Sequence, residues 1–340
     1  MADTAETKNS GIPEIDLTKS FNAFIKKVDE DFPEWKNKVI LYDLSRDALF
    51  GANERALSEE WKNYAAKYHG DNPSTVAISM RDSGYLLMAY LGESAPRTAS
   101  EKETLNITLE HELDHGAGPT RQGDGHSNLF REGKADVFSF IRHQQQQQDT
   151  GRLLEREIWD KAIALGLYGE ITHFTLPVLN ELARLSQSHD LSKLTPVQTA
   201  NFAYRVSLQY APTEDQLRRL AEIFVPVKER YEAEKGLCDP VYRKCAEIMF
   251  EDHGDLSPMV FTAGKAFLDP FLNRRREILA TKLSPKGAAT IALQGDFWND
   301  VRAKIKEREE KTKETPEQLR AREAMDMQML GLFDKNPDAK

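Results

Sequence analysis

Two histidines one helical turn apart, with a glutamate between them, are the residues of this chain best equipped for chemistry. They stand in Thr108-Leu109-Glu110-His111-Glu112-Leu113-Asp114-His115-Gly116, a His-Glu-x-x-His pattern. On a helix, positions four apart share a face, so His111 and His115 can both point at one metal ion. Glu112 lies one step round from His111, able to reach a metal-bound water without being a ligand. Imidazole pairs suit zinc, and a catalytic zinc site takes three protein ligands and keeps one position open. The expected cofactor is therefore Zn2+, one per chain. The competing reading is a surface helix whose two histidines fall a turn apart by accident.

A third ligand has to come from further along. After a glycine-rich segment (Gly116, Gly118, Gly123, Gly125) the sequence runs Ser127-Asn128-Leu129-Phe130-Arg131-Glu132-Gly133-Lys134-Ala135-Asp136-Val137-Phe138-Ser139-Phe140-Ile141. Leu129, Phe130, Val137, Phe138 and Ile141 recur at helical spacing, and Ser127 or Asn128 can serve as N-cap. Glu132 and Asp136 share one face of this second helix. Glu132 can be the third ligand, and Asp136, one turn later, can accept the ring N–H of a ligating histidine and fix its orientation. Asp124 and His126 in the connecting loop, and Asp136 itself, are the alternatives for the third ligand. A continuation of the motif to His-x-x-Gly-x-x-His is excluded, because Arg121 occupies the last position and a guanidinium cannot bind a cation.

His111-Glu112-x-x-His115, a turn, and a helix carrying Glu132-x-x-x-Asp136 resemble the gluzincin, or thermolysin-like, zinc metallopeptidases. The resemblance covers about residues 104–143 and implies His111, His115 and Glu132 as ligands, Glu112 as general base and Asp136 as the acceptor behind a ligand. It also implies peptide-bond hydrolysis by a metal-activated water, a small sheet ahead of the zinc helix whose edge strand holds the substrate backbone, and a downstream His or Tyr that stabilises the oxyanion. Candidates for that last role are Tyr168, His173, His189, Tyr204, Tyr210, Tyr242 and His253, with His173, His189, Tyr204 and His253 carried forward. The expected partner is a peptide or protein substrate. Two other functions stay open: a zinc-stabilised helical scaffold with a non-catalytic site, and a zinc hydrolase of non-peptide substrates.

Composition narrows the class. The 340 residues are 40% hydrophobic and 30% charged, with a formal net charge of -9. That balance argues against a general nucleic-acid or anionic-membrane binder, although Arg274-Arg275-Arg276 is locally basic. No run of eighteen apolar residues offers a transmembrane span. Met1 to Ile12 is polar and lacks the apolar core of a secretory signal. Cys238 and Cys245, two turns apart if helical, are beyond disulfide reach and read as reduced thiols, so the expected location is cytoplasmic.

The elements that must position the motif follow from periodicity. Residues 1–13 are expected to be disordered. Helices are expected over Ile15 to Val28 and Asn53 to Tyr68, a strand over Lys38 to Tyr42, and a hairpin of Thr75 to Met80 with Tyr85 to Leu91. Leu105, Leu109 and Leu113 should dock the zinc helix into the core and leave Thr108, His111, Glu112 and His115 on the neighbouring stripe. After the polar run Gln144 to Gln148, helices are expected over Arg152–Leu165, Thr175–Ser186, Pro196–Leu208, Glu214–Glu234, Val241–Glu251 and Gly264–Leu279. A further helix is expected through Trp298. Lys304 to Arg322 reads as a solvated helix leading to a Met-rich patch (Met325, Met327, Met329, Leu330, Leu332, Phe333), a packing segment or partner site. The expected fold is α+β and predominantly helical, with a small antiparallel sheet or hairpin preceding the active-site helix. Its regions are 14–150 with the zinc motif, a helical lobe over 151–306 and a tail over 307–340.

Overall fold

The computed structural model describes residues 17–73, 75–92, 99–117, 127–146, 151–273 and 295–331. Residues 1–13, Asp124, His126, Gln147, Gln148, Arg274-Arg275-Arg276, Leu332 and Phe333 lie outside the described residues. The fold is α+β and predominantly helical: among the described residues 74% are helical, with 12 α-helices and one four-stranded sheet. The chain divides into two compact units, Met1–Arg121 and Gln122–Lys340.

The first unit contains α1 (Leu17–Asp31), β1 (Val39–Asp43), β2 (Ala48–Gly51), α2 (Arg55–Asp71), β3 (Ala77–Asp82), β4 (Tyr85–Tyr90) and α3 (Ala99–Ala117). The strand order is β2-β1-β4-β3. Both outer pairs are antiparallel while β1 and β4 run parallel, so the sheet is mixed and not wholly antiparallel. Burial explains the arrangement. The parallel pair lies in the middle, where Val39 to Asp43 and Leu86 to Tyr90 are buried throughout, as parallel strands require. The outer strands β2 and β3 are largely half-buried. β2 carries no alternating pattern and only four residues, which is why periodicity does not find it.

Helix α2 covers one face of the sheet: Leu57, Trp61 and Ala65 cluster with Ile40, Tyr42, Leu87 and Ala89. Trp61 Nε1 also donates to Met88 O at 2.9 Å. α1 and α3 lie on the other face, α1 through Phe21, whose ring packs edge-on against Phe50, and α3 against β3 and β4.

The second unit contains α4 (Asn128–Gln146), α5 (Gly151–Ile163) running into a π-helical turn (Ala164–Tyr168), α6 (Leu176–Ser188), α7 (Pro196–Tyr210), α8 (Glu214–Glu234), α9 (Asp239–Phe250), α10 (Ser257–Leu272), α11 (Asp296–Lys311) and α12 (Pro316–Met329). Its core gathers Trp159, Phe174, Leu220, Phe224, Tyr242, Phe267 and Trp298. Three helices begin with a threonine and a glutamine three residues on, each bonding the other's backbone: Thr195 with Gln198, Thr213 with Gln216, and Thr315 with Gln318.

Three departures from the expected elements have local causes. α10 starts at Ser257, seven residues early, because Pro258 suits the first helical turn. The charged tail forms two helices, broken at Thr312 to Thr315 before Pro316, and the first buries Trp298, Val301 and Ile305. Cys238 precedes α9 and is not part of it; both cysteines are free thiols. No helix among the described residues is long and apolar enough to cross a membrane.

Candidate metal centre

Leucines at every fourth position fix how α3 lies. Leu105, Leu109 and Leu113 are 3%, 1% and 0% exposed, while Thr108, His111, Glu112 and His115 on the adjoining stripe are half-buried. Glu110 and Asp114, which a simple amphipathic pattern would leave in water, are buried as well. The two imidazoles converge: His111 Nε2 and His115 Nε2 are 2.9 Å apart, with the rings edge to face. Two nitrogens bound to one tetrahedral zinc at its usual bond length stand about 3.3 Å apart. A shift of a few tenths of an ångström would seat the ion.

Edge strand β3 grips the C-terminal half of this helix. Ser79 Oγ lies 2.6 Å from Glu112 O and 3.0 Å from Glu112 Oε2, so its one proton can be donated to the helix carbonyl or to the carboxylate. Two residues on, and therefore on the same face of the strand, Arg81 donates through Nε to Gly116 O. The Arg81 guanidinium also lies over the Trp35 ring, 5.0 Å from its centroid. Gly116 permits the approach: a Cβ there would sit 2.2 Å from Leu86 Cδ1.

Helix α4 starts as expected, with Phe130 N–H donating to Ser127 Oγ at 3.2 Å. Gly133 lets it lie close to α6 and α7, since a Cβ there would meet Val178 Cγ2 at 3.2 Å and Ser207 Oγ at 3.4 Å. Glu132 is half-buried and Asp136 is 6% exposed. Asp136 Oδ2 accepts from Thr175 Oγ1 and lies 3.3 Å from Lys161 Nζ. Burial opposes the charge on Lys161, but Asp136, Glu157 and Glu132 outweigh it and hold its pKa above the ordinary lysine value.

His173, in the segment between the π-helical turn and α6, stands between two carboxylates. Its Nε2 is 4.0 Å from Glu132 Oε2 and its Nδ1 is 3.8 Å from Glu170 Oε1. Of the other oxyanion candidates, Tyr204 packs edge-on against Phe130 of α4 at 5.2 Å. His253 engages Ile248 O at 2.9 Å, and His189 ends α6. Tyr168 is 61% exposed and packs edge-on against Tyr231. Tyr210 has its pKa pushed up to about 12 by burial and then by Glu181. Tyr242 is fully buried and its hydroxyl has no hydrogen-bond partner among the described residues; burial pushes its pKa far above the usual tyrosine value.

Among the described residues, His111, His115 and Glu132 form a group that could hold a metal ion, with one ligand atom from each within 4.8 Å of the others. Two imidazoles and a carboxylate are a donor set that fits zinc. Ser79, Lys161, Thr175 and Glu170 belong to no motif and are not among the site residues expected from sequence. Tertiary structure brings Ser79 to Glu112 and Lys161 and Thr175 to Asp136, while Glu170 is a local neighbour of His173. In comparisons with known proteins, the chain matches no family model, no curated protein and no solved structure.

Proposed function

We propose that this chain is a zinc-dependent metallopeptidase, similar in its centre to the gluzincins. The observation that carries the proposal is the convergence of ligand atoms from His111, His115 and Glu132 within 4.8 Å. Zinc held by these three would polarise the scissile carbonyl and lower the pKa of its water towards about 7. Glu112, one residue from His111, takes the proton of the attacking water and returns it to the leaving amine. On this reading Asp136, whose carboxylate Lys161 and Thr175 keep in place, would be the acceptor behind a ligating histidine. His173, beside Glu132, is the candidate best placed to donate to the developing oxyanion, and Glu170 faces its other ring nitrogen. The two free thiols suit a reducing compartment, for which we propose the cytoplasm.

The test is zinc content by mass spectrometry on protein purified without chelator or metal-affinity tag. Wild type should carry about one zinc per chain. Glu132→Ala and His111→Ala should lose it, and Glu112→Gln should keep it while losing peptide hydrolysis. Zinc retained by Glu132→Ala would remove the gluzincin assignment. Zinc bound without hydrolysis of any peptide in a mixed library would favour the helical scaffold.

A further inference from the structure

We propose that Ser79 is a positioning residue for Glu112, an inference that rests on the metallopeptidase reading above. Glutamate on an exposed helix face samples several rotamers, and a general base must present one oxygen to one water. Ser79 Oγ stands 3.0 Å from Glu112 Oε2 and 2.6 Å from the main-chain oxygen of the same residue. One hydroxyl thus ties the carboxylate to the backbone of its own residue and to strand β3.

The hydroxyl can donate its proton to Oε2 and so fix where that oxygen points. Alanine has no such donor, and threonine keeps it. Arg81 supplies an internal control, because its Nε ties β3 to α3 through Gly116 O, four residues on from Glu112. A purely structural role would make Ser79 and Arg81 equivalent.

The experiment uses full-length protein loaded with Co2+ in place of zinc, with acetohydroxamic acid as probe. A hydroxamate on such a centre gives up its proton to the general base, so its affinity reports how that carboxylate is presented. Binding is read from the cobalt absorption bands at one fixed pH. Wild type and Ser79→Thr should bind alike, and Ser79→Ala should bind about tenfold more weakly with unchanged Co2+ stoichiometry. Arg81→Met should lower Tm and leave hydroxamate affinity within about twofold of wild type. Ser79→Cys, nearly isosteric but a poor donor, gives the same answer if the alanine variant does not fold. Equal affinity in wild type and Ser79→Ala, or equal losses in Ser79→Ala and Arg81→Met, overturns the role of Ser79 and leaves the metallopeptidase reading intact. Failure of wild type to take up Co2+ overturns both.

Discussion

Lys161 Nζ lies 3.3 Å from Asp136 Oδ2, with side chains that are 14% and 8% exposed. A nearly buried ammonium thus sits among Asp136, Glu157 and Glu132, and removing it would take a cation away from all three. Lys161→Met should destabilise the protein by about 3 kcal/mol, the lower end for breaking a buried pair because some solvent remains. Chemical denaturation would measure it. The pH dependence has a definite sign: the folded pKa is raised. The contribution is therefore complete below the unfolded lysine value near ~10.4 and fades as pH rises through the folded value. Wild type should lose stability relative to Lys161→Met only in that alkaline range, and a difference unchanged there would contradict the pairing.

His173 and Glu132 make the second prediction. His173 Nε2 is 4.0 Å from the Glu132 carboxylate, and in the proposed centre it would act on the substrate and not on the ion. His173→Phe should lower kcat for peptide hydrolysis about 100-fold and leave zinc content at the wild-type level. A drop in zinc content would instead make His173 part of the ligand set. Glu170→Gln should reproduce a smaller part of the loss, because Glu170 faces the other ring nitrogen and acts through His173.

What could be read from residues alone was what depends on short-range periodicity. The leucine stripe of α3, the hairpin of β3 and β4, and α8 over Glu214–Glu234 all follow from spacing within a few turns. β2 was invisible because four residues, Ala48–Gly51, are too few to show a period. The helix α4 departs from an amphipathic pattern because Lys134, Asp136, Arg142 and His143 are all buried, which only packing on several sides can impose. The members of the group that could hold a metal ion, His111, His115 and Glu132, were legible from residue type and spacing. Ser79 and Lys161 were not, being 33 and 25 residues from Glu112 and Asp136.

Gly116 lets α3 lie close against the sheet. A Cβ would fall 2.2 Å from Leu86 Cδ1, and Leu86 is fully buried in central strand β4. Gly116→Ala must therefore push the leucine or the helix aside, despite alanine's better helix propensity. The expected loss is about 1–2 kcal/mol, seen as a lower denaturation midpoint. Gly116→Ala with Leu86→Val should recover part of it, since valine withdraws the clashing methyl. If the double variant is worse by the sum of both changes, the clash is not what makes glycine necessary.

The Met-rich tail supplies the last prediction. Asp326 on α12 is 2% exposed and receives Arg184 of α6 in a two-point contact, Nη1 to Oδ2 at 2.9 Å and Nη2 to Oδ1 at 2.6 Å. Glu181 holds the other side of the same guanidinium. Arg205 of α7 donates to Gln328 O at 2.7 Å, and Met329 and Leu330 are 4% and 6% exposed. This geometry is that of a packed segment: Met329 is buried, Met325 and Met327 are half-buried, and the Arg184–Asp326 contact is two-pronged. Asp326→Ala should cost about 2 kcal/mol, because Arg184 loses one two-point charged contact and keeps only that to Glu181. Deleting the residues after Ala324 removes the apolar contacts as well and should lower Tm by more than the point variant does. Asp326→Ala made in an Arg184→Met background should cost much less than in wild type, and equal costs in the two backgrounds would mean that the pair does not anchor the tail.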